Sequence, residues 1–117
     1  MKYLYIISLT SLFLLSCSKK EINPTVKDNT ITTSGYNFEP SLLNCKLGDT
    51  IYFELGSTHN AIQVSEENYN SNYSTPVVDG FQFGFGDSGF FVANESKTYY
   101  YVCAPHLPQM KARIVVE

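Results

Sequence analysis

The sequence predicts an all-β domain, a β-sandwich or small barrel of six to eight short strands. The 117-residue chain contains nine tyrosines, eight phenylalanines and seven glycines but no tryptophan, a composition that favours strands and turns over helices. Short apolar–polar alternations recur between turn residues, without repeats, heptads or long helical periods. A chain of this length suffices for one domain but hardly for two.

Residues 1–16 are predicted to be a lipoprotein signal peptide. Lys2 supplies a positive charge, and residues 3–15 form a mostly apolar run that is too short to span a membrane comfortably. The run ends in "LLSC", which resembles the lipobox of bacterial lipoproteins, where the cysteine is lipidated and becomes the new N-terminus. We therefore expect lipidation at Cys17. The alternative is an ordinary secretory signal with an incidental cysteine.

Residues 17–29, "CSKKEINPTVKDN", are predicted to be a flexible tether, because they are mostly polar and offer little to bury. Serine rather than aspartate at position 18 favours the outer membrane under the sorting logic of lipoproteins. The expected location is therefore the cell envelope outside the cytoplasm, lipid-anchored in the outer membrane and facing the periplasm or the cell surface.

Residues 30–117 are predicted to form the globular domain. In "TIYFEL", alternation places Ile51, Phe53 and Leu55 on one face of a strand. The polar segment "SEENYNSNYSTP" has no periodicity and is predicted to be a loop or at most a helical turn. The segments with strand character are "TITTSGYNFEP", "LLNCKLGDTIYFELG" with two strands around "LGDT", "HNAIQV", "GFQFGFGDSGFFV", "KTYYYVC" and "KARIVVE".

The charge of the chain argues against nucleic acid as a partner. The formal net charge is -3, with 11 acidic residues against 8 lysines and arginines. An acidic surface keeps a protein soluble by default, and the alternative is that it steers the protein toward a basic partner.

The stretch "YYYVCAPHLPQM" places Cys103, His106 and Met110 within eight residues. A catalytic Cys–His pair needs a base across a cleft and a third orienting group, neither of which this spacing provides. Zinc sites rarely use thioether ligands. A thiolate, imidazoles and a weak axial thioether describe a blue-copper electron-transfer site. The second imidazole can come only from His59, which we expect closure of two sheets to bring to Cys103.

The segments "FEP", "KLGDTIYFEL", "HN" and "TYYYVCAPH…M" resemble the small blue-copper proteins, the cupredoxins, particularly plastocyanin and pseudoazurin. The resemblance covers residues 31–117 and implies a cupredoxin-like Greek-key β-sandwich of about seven to eight strands. It also implies one type 1 copper ion, with the ligands His59, Cys103, His106 and Met110. Three residues separate His106 from Met110 where plastocyanin has four, and this loop length leaves the axial bond length and the redox potential open, but not the ligand set. Gln109 also replaces a glycine that is frequent in the family.

The resemblance assigns roles to residues around the ligands. Asn60 would brace the cysteine loop by hydrogen bonding, and the ring edge of His106 would lie near solvent. An apolar rim around His106 would either form a docking face for a redox partner or merely cap the sandwich. Its residues are Pro105, Leu107 and Pro108.

Three further residues have predicted places in the core. Cys45 occupies an apolar strand position, and we expect a buried free thiol, with an intermolecular disulfide as the alternative. Tyr99 and Tyr101 share a face with Cys103 by strand alternation. Core packing is the expected role of both tyrosines, and an electron path is the alternative.

The predicted function is that of a membrane-tethered electron carrier without enzymatic activity or a small-molecule substrate. The partners implied by the resemblance are c-type cytochromes or terminal reductases and oxidases. The alternative function is copper storage or delivery. Multicopper oxidases and nitrite reductases need additional histidines, whereas this chain has two.

Overall fold

The computed structural model describes residues 29–117. The predicted signal peptide and all but the last residue of the predicted tether lie outside the described residues, so these two predictions remain predictions. The elements in chain order are β1 (Thr30–Ser34), β2 (Asn37–Glu39), β3 (Leu42–Cys45), β4 (Thr50–Glu54), β5 (Ala61–Val64), α1 (Glu66–Ser71), β6 (Gln82–Phe83), β7 (Ser88–Val92), β8 (Thr98–Val102), a 3-10 turn (Ala104–His106) and β9 (Lys111–Val116).

The strands form two sheets, as predicted for a β-sandwich. One sheet has the order β2-β1-β4-β7 and the other the order β3-β9-β8-β5-β6. The pairs β1–β4 and β3–β9 are parallel, and the remaining pairs are antiparallel. Residues 29–117 contain nine strands, close to the predicted seven to eight. The turn at Gly35, whose φ of +58° suits glycine, divides the first segment in two, and β6 is a two-residue strand.

The core lies between the sheets and contains the residues that alternation predicts. Ile51 and Phe53 are completely buried, and Leu55 is nearly so. The rings of Phe53 and Tyr101 meet edge to face with centroids 5.4 Å apart, which joins the two sheets. Cys45 is buried in the same core, as predicted, and forms no disulfide with another residue of the described range 29–117.

Ser65 caps the N-terminus of the short helix α1, where its side chain accepts a hydrogen bond from the backbone N–H of Asn68 at 3.0 Å. The helix ends after six residues at Asn72, which has a left-handed φ of 63°. The prediction of at most a helical turn is therefore close to the observed length. No helix among residues 29–117 is long and apolar enough to cross a membrane.

Candidate metal centre

Three potential metal ligands meet at one end of the sandwich. The Nδ1 atoms of His59 and His106 lie 3.1 Å apart. The Sγ atom of Cys103 lies 3.3 Å from Nδ1 of His106 and 3.9 Å from Nδ1 of His59. His59, Cys103 and His106, all predicted as ligands, thus each place one nitrogen or sulfur atom within 4.8 Å of the others.

Strand pairing within one sheet brings His59 to Cys103. β5 and β8 are antiparallel neighbours, and Ile62 pairs with Val102. The residues just before β5 and just after β8 therefore lie side by side at the same end of the sheet. The expectation that closure of two sheets would unite them was wrong, because both flanking strands belong to the five-stranded sheet.

The loop that follows β8 is closed by hydrogen bonds between its own ends. The backbone N–H of Cys103 donates to the carbonyl of Met110 at 3.0 Å, and the N–H of Met110 donates to the carbonyl of His106 at 3.0 Å. Pro105 lies within the 3-10 turn, where its fixed φ is compatible with the turn. Met110 is completely buried directly before β9 begins. These bonds hold Cys103, His106 and Met110 in one compact loop.

Asn60 connects this loop to the segment that carries His59. Its side-chain oxygen accepts a hydrogen bond from the backbone N–H of Ala104 at 2.9 Å. Burial raises the pKa of the Cys103 thiol, and backbone hydrogen bonds from Asn60 and His106 to the sulfur oppose that shift. N–H groups that point at the sulfur favour the thiolate, which is the form that binds metals.

His59 is held with its Nδ1 atom directed at the cluster. Burial and the neighbouring His106 lower the pKa of His59, and a backbone hydrogen bond with Gly35 opposes the shift. Both dominant effects favour the neutral imidazole, which is the form that binds metals. A hydrogen bond from the second ring nitrogen to a backbone carbonyl is the usual device that fixes the tautomer of a ligating histidine.

Comparison with known protein families gives a match over residues 25–117 to the model described as "Copper binding proteins, plastocyanin/azurin family". The chain belongs to this family. It is therefore a cupredoxin, as its sequence motifs indicate. A search of proteins with curated functions gives no significant match.

Solved structures of similar fold are also cupredoxins. Pseudoazurin from Hyphomicrobium denitrificans is 24% identical, with a TM-score of 0.59 over 75% of this chain and 73% of that one. Pseudoazurin from Methylobacterium extorquens AM1 is 25% identical, with a TM-score of 0.57 over 74% and 72%. An oxidised amicyanin mutant is 21% identical, with a TM-score of 0.58 over 80% and 88%. These likenesses agree with the two-sheet fold described above.

The donor set of this cupredoxin fits one type 1 copper ion. Imidazole nitrogen and thiolate bind first-row ions at about 2.0 and about 2.3 Å, so two ligands of one ion lie roughly 3 to 4 Å apart. The separations of 3.1, 3.3 and 3.9 Å fall in that range. His59, Cys103 and His106 would hold the ion, and Met110 would supply a soft thioether donor.

The turn between β1 and β2 is a part of the site that motif analysis did not single out. Gly35 makes the backbone hydrogen bond with His59, and the ring of Tyr36 lies against the ring of His106 with centroids 4.5 Å apart. The only signal available in the sequence was the position of this turn just before the "FEP" motif. Nothing in its local pattern indicates contact with histidines so distant along the chain.

Proposed function

We propose that this cupredoxin is a one-electron carrier, tethered to the bacterial cell envelope by a lipid on Cys17 and acting outside the cytoplasm. Membership of a copper-binding family and the His–Cys–His cluster support the redox part of the proposal. The tether rests on the "LLSC" sequence and on the polar residues that follow it.

The observation that carries the proposal is that hydrogen bonds of the protein itself hold the donor-bearing segments. The sulfur of Cys103 receives backbone N–H groups, and the side chain of Asn60 connects the two segments. Copper bound there would alternate between Cu(II) and Cu(I), accepting one electron from a reduced partner and passing it to an oxidised one. A site whose ligands are fixed rearranges little between these states, and small rearrangement makes electron transfer fast.

His106 is the donor through which electrons would leave and enter. It is only half-buried, whereas His59 and Cys103 are buried. Pro105 and Pro108 are exposed beside it, and Leu107 is half-buried. A small apolar rim suits brief contact with a redox protein, and a c-type cytochrome or a terminal reductase or oxidase is the proposed partner class.

Visible absorption and electron paramagnetic resonance of the Cu(II)-loaded protein test the proposal. We expect an intense visible thiolate-to-copper band and a reversible one-electron wave. Cys103→Ser should abolish the band. Cys45→Ser is the matched control, because it makes the same change at a buried cysteine on β3 and should leave the band in place. A colourless copper-loaded wild type would refute the electron-carrier function.

Copper storage or delivery is the competing function. Delivery requires ligands that exchange readily, whereas Cys103 and His59 are buried. The two functions are separated by mixing the Cu(I) protein with a copper-acceptor protein. Slow or absent metal transfer together with rapid electron exchange with a c-type cytochrome supports the carrier, and the reverse pattern supports delivery.

The anchor is tested on the full-length chain expressed in a bacterium. Labelling with a radioactive fatty acid should mark the wild type and not Cys17→Ala, and the wild type should fractionate with the outer membrane. An unlabelled, freely soluble wild type would refute the anchor without touching the redox proposal.

A further inference from the structure

We propose that Tyr36 is a positioning residue for the metal site, which holds the imidazole of His106 through contact between the two rings. The proposal rests on the proposed function, because it concerns the same site. It goes beyond the ligand set because Tyr36 is not one of the donors and would act only through His106.

The contact between the two rings is the first observation. The ring centroids of Tyr36 and His106 lie 4.5 Å apart with an interplanar angle of 40°. This separation is at the short end of the range in which aromatic rings attract each other. His106 lies on a surface loop and is only half-buried, so the sandwich encloses its ring less completely than that of His59.

The exposure of Tyr36 is the second observation. The side chain is 53% exposed, although it is large and apolar over most of its surface. A tyrosine needed only for the core would be buried, like Tyr101. Tyr36 instead covers a ligand from outside, where it restricts rotation of the imidazole and access of water.

The anchoring of the turn is the third observation. Gly35, the neighbour of Tyr36, hydrogen-bonds with His59 through its backbone. On the strand before the turn, the Thr33 hydroxyl accepts a hydrogen bond from the backbone N–H of Gly56 at 2.9 Å. One turn therefore contacts both histidines, and its attachment to the His59 segment fixes the place of the Tyr36 ring. Movement of either imidazole is resisted by the same connection between β1 and β2.

The experiment compares copper release from the Cu(I)-loaded protein to a chelator. Tyr36→Ala should release copper about two- to tenfold faster, the range that corresponds to loss of one aromatic contact. Tyr36→Phe keeps the ring and should behave as the wild type. Phe90→Ala removes a similarly exposed ring from β7 and should also leave the release rate unchanged. Tyr36→Leu, which keeps apolar bulk without a ring, serves if the alanine variant folds poorly.

A second measurement uses the metal-free wild type and variants. Nuclear magnetic resonance should show a ring-current shift of the His106 ring protons that disappears in Tyr36→Ala and persists in Tyr36→Phe. Unchanged copper release and unchanged His106 signals in Tyr36→Ala would overturn the proposal. If the ring-current shift is present but the copper-loaded protein lacks the visible band, the ring contact is supported and the electron-carrier function is refuted. Failure of the Tyr36 proposal can therefore be told apart from failure of the proposed function.

Discussion

The side-chain oxygen of Asn60 accepts a hydrogen bond from the backbone N–H of Ala104 at 2.9 Å, across 44 positions of sequence. This bond joins the segment that carries His59 to the loop that carries Cys103. The two bonded residues are neighbours of ligands in the sequence but are not ligands themselves. Its removal therefore tests how much the site depends on the connection between its two halves.

Asn60→Ala should weaken copper binding by about 10- to 100-fold, the usual cost of losing a residue that orients metal ligands. The reason is that the N–H of Ala104 loses its acceptor and the loop gains freedom. Competition with a chelator of known affinity measures the effect. Asn60→Asp retains a side-chain acceptor and should recover most of the affinity. Equal affinity of the wild type and the alanine variant would contradict this account.

Tyr101→Phe should leave the free energy of unfolding unchanged or raise it by about 1 kcal/mol at neutral pH. Tyr101 is completely buried, and within residues 29–117 its hydroxyl has no hydrogen-bond partner. A buried polar group without a partner costs about 1–3 kcal/mol, and the phenylalanine variant removes it. Denaturant titration measures the difference. Tyr99→Phe, at a less deeply buried tyrosine on the same strand, serves as the control. A clear loss of stability in Tyr101→Phe would mean that the hydroxyl has a partner.

The same tyrosine should make the protein less stable at alkaline pH. Burial raises the pKa of Tyr101 above its usual value. Above about pH 10 the unfolded chain loses this proton while the folded chain keeps it, so the unfolded state binds fewer protons and the free energy of unfolding falls. The limit is about 1.4 kcal/mol per pH unit. Tyr101→Phe should therefore lose less stability than the wild type between about pH 9 and about pH 11 in denaturant titrations. Parallel curves would contradict the prediction.

Cys45 should resist alkylation in the folded protein. Burial, followed by the nearby negative charge of Asp49, raises the pKa of its thiol, so the reactive thiolate is scarce at neutral pH. We expect slow modification by iodoacetamide at pH 7, faster modification as pH rises, and complete modification after unfolding. Peptide mapping by mass spectrometry assigns the site. Rapid modification at neutral pH would mean that the strand β3 opens readily.

The parts of the fold that local alternation encodes were predictable. The apolar faces of β4 and β8 follow from a side-chain period of two residues, and Ile51, Phe53, Tyr99 and Tyr101 are buried accordingly. Val102 lies outside this core cluster, as alternation predicts, and is nevertheless completely buried.

The short helix α1 accounts for part of this second buried face. It packs against β8, and its Tyr69 contacts Tyr100 with ring centroids 5.0 Å apart. A covering helix of six residues leaves no periodic signal that identifies the strand it covers.

The sequence by itself determined the all-β class and the donor chemistry, because side-chain alternation and residue type are local properties. Since the chain has only two histidines, the second imidazole ligand could come from one residue alone. Tertiary structure alone decided how the donors meet and what supports them. The pairing of β5 with β8 within one sheet places His59 beside Cys103, and the β1–β2 turn brings Tyr36 to His106. Such contacts depend on the order of strands in the sheets, and that order is set by packing of the whole chain rather than by any segment of it.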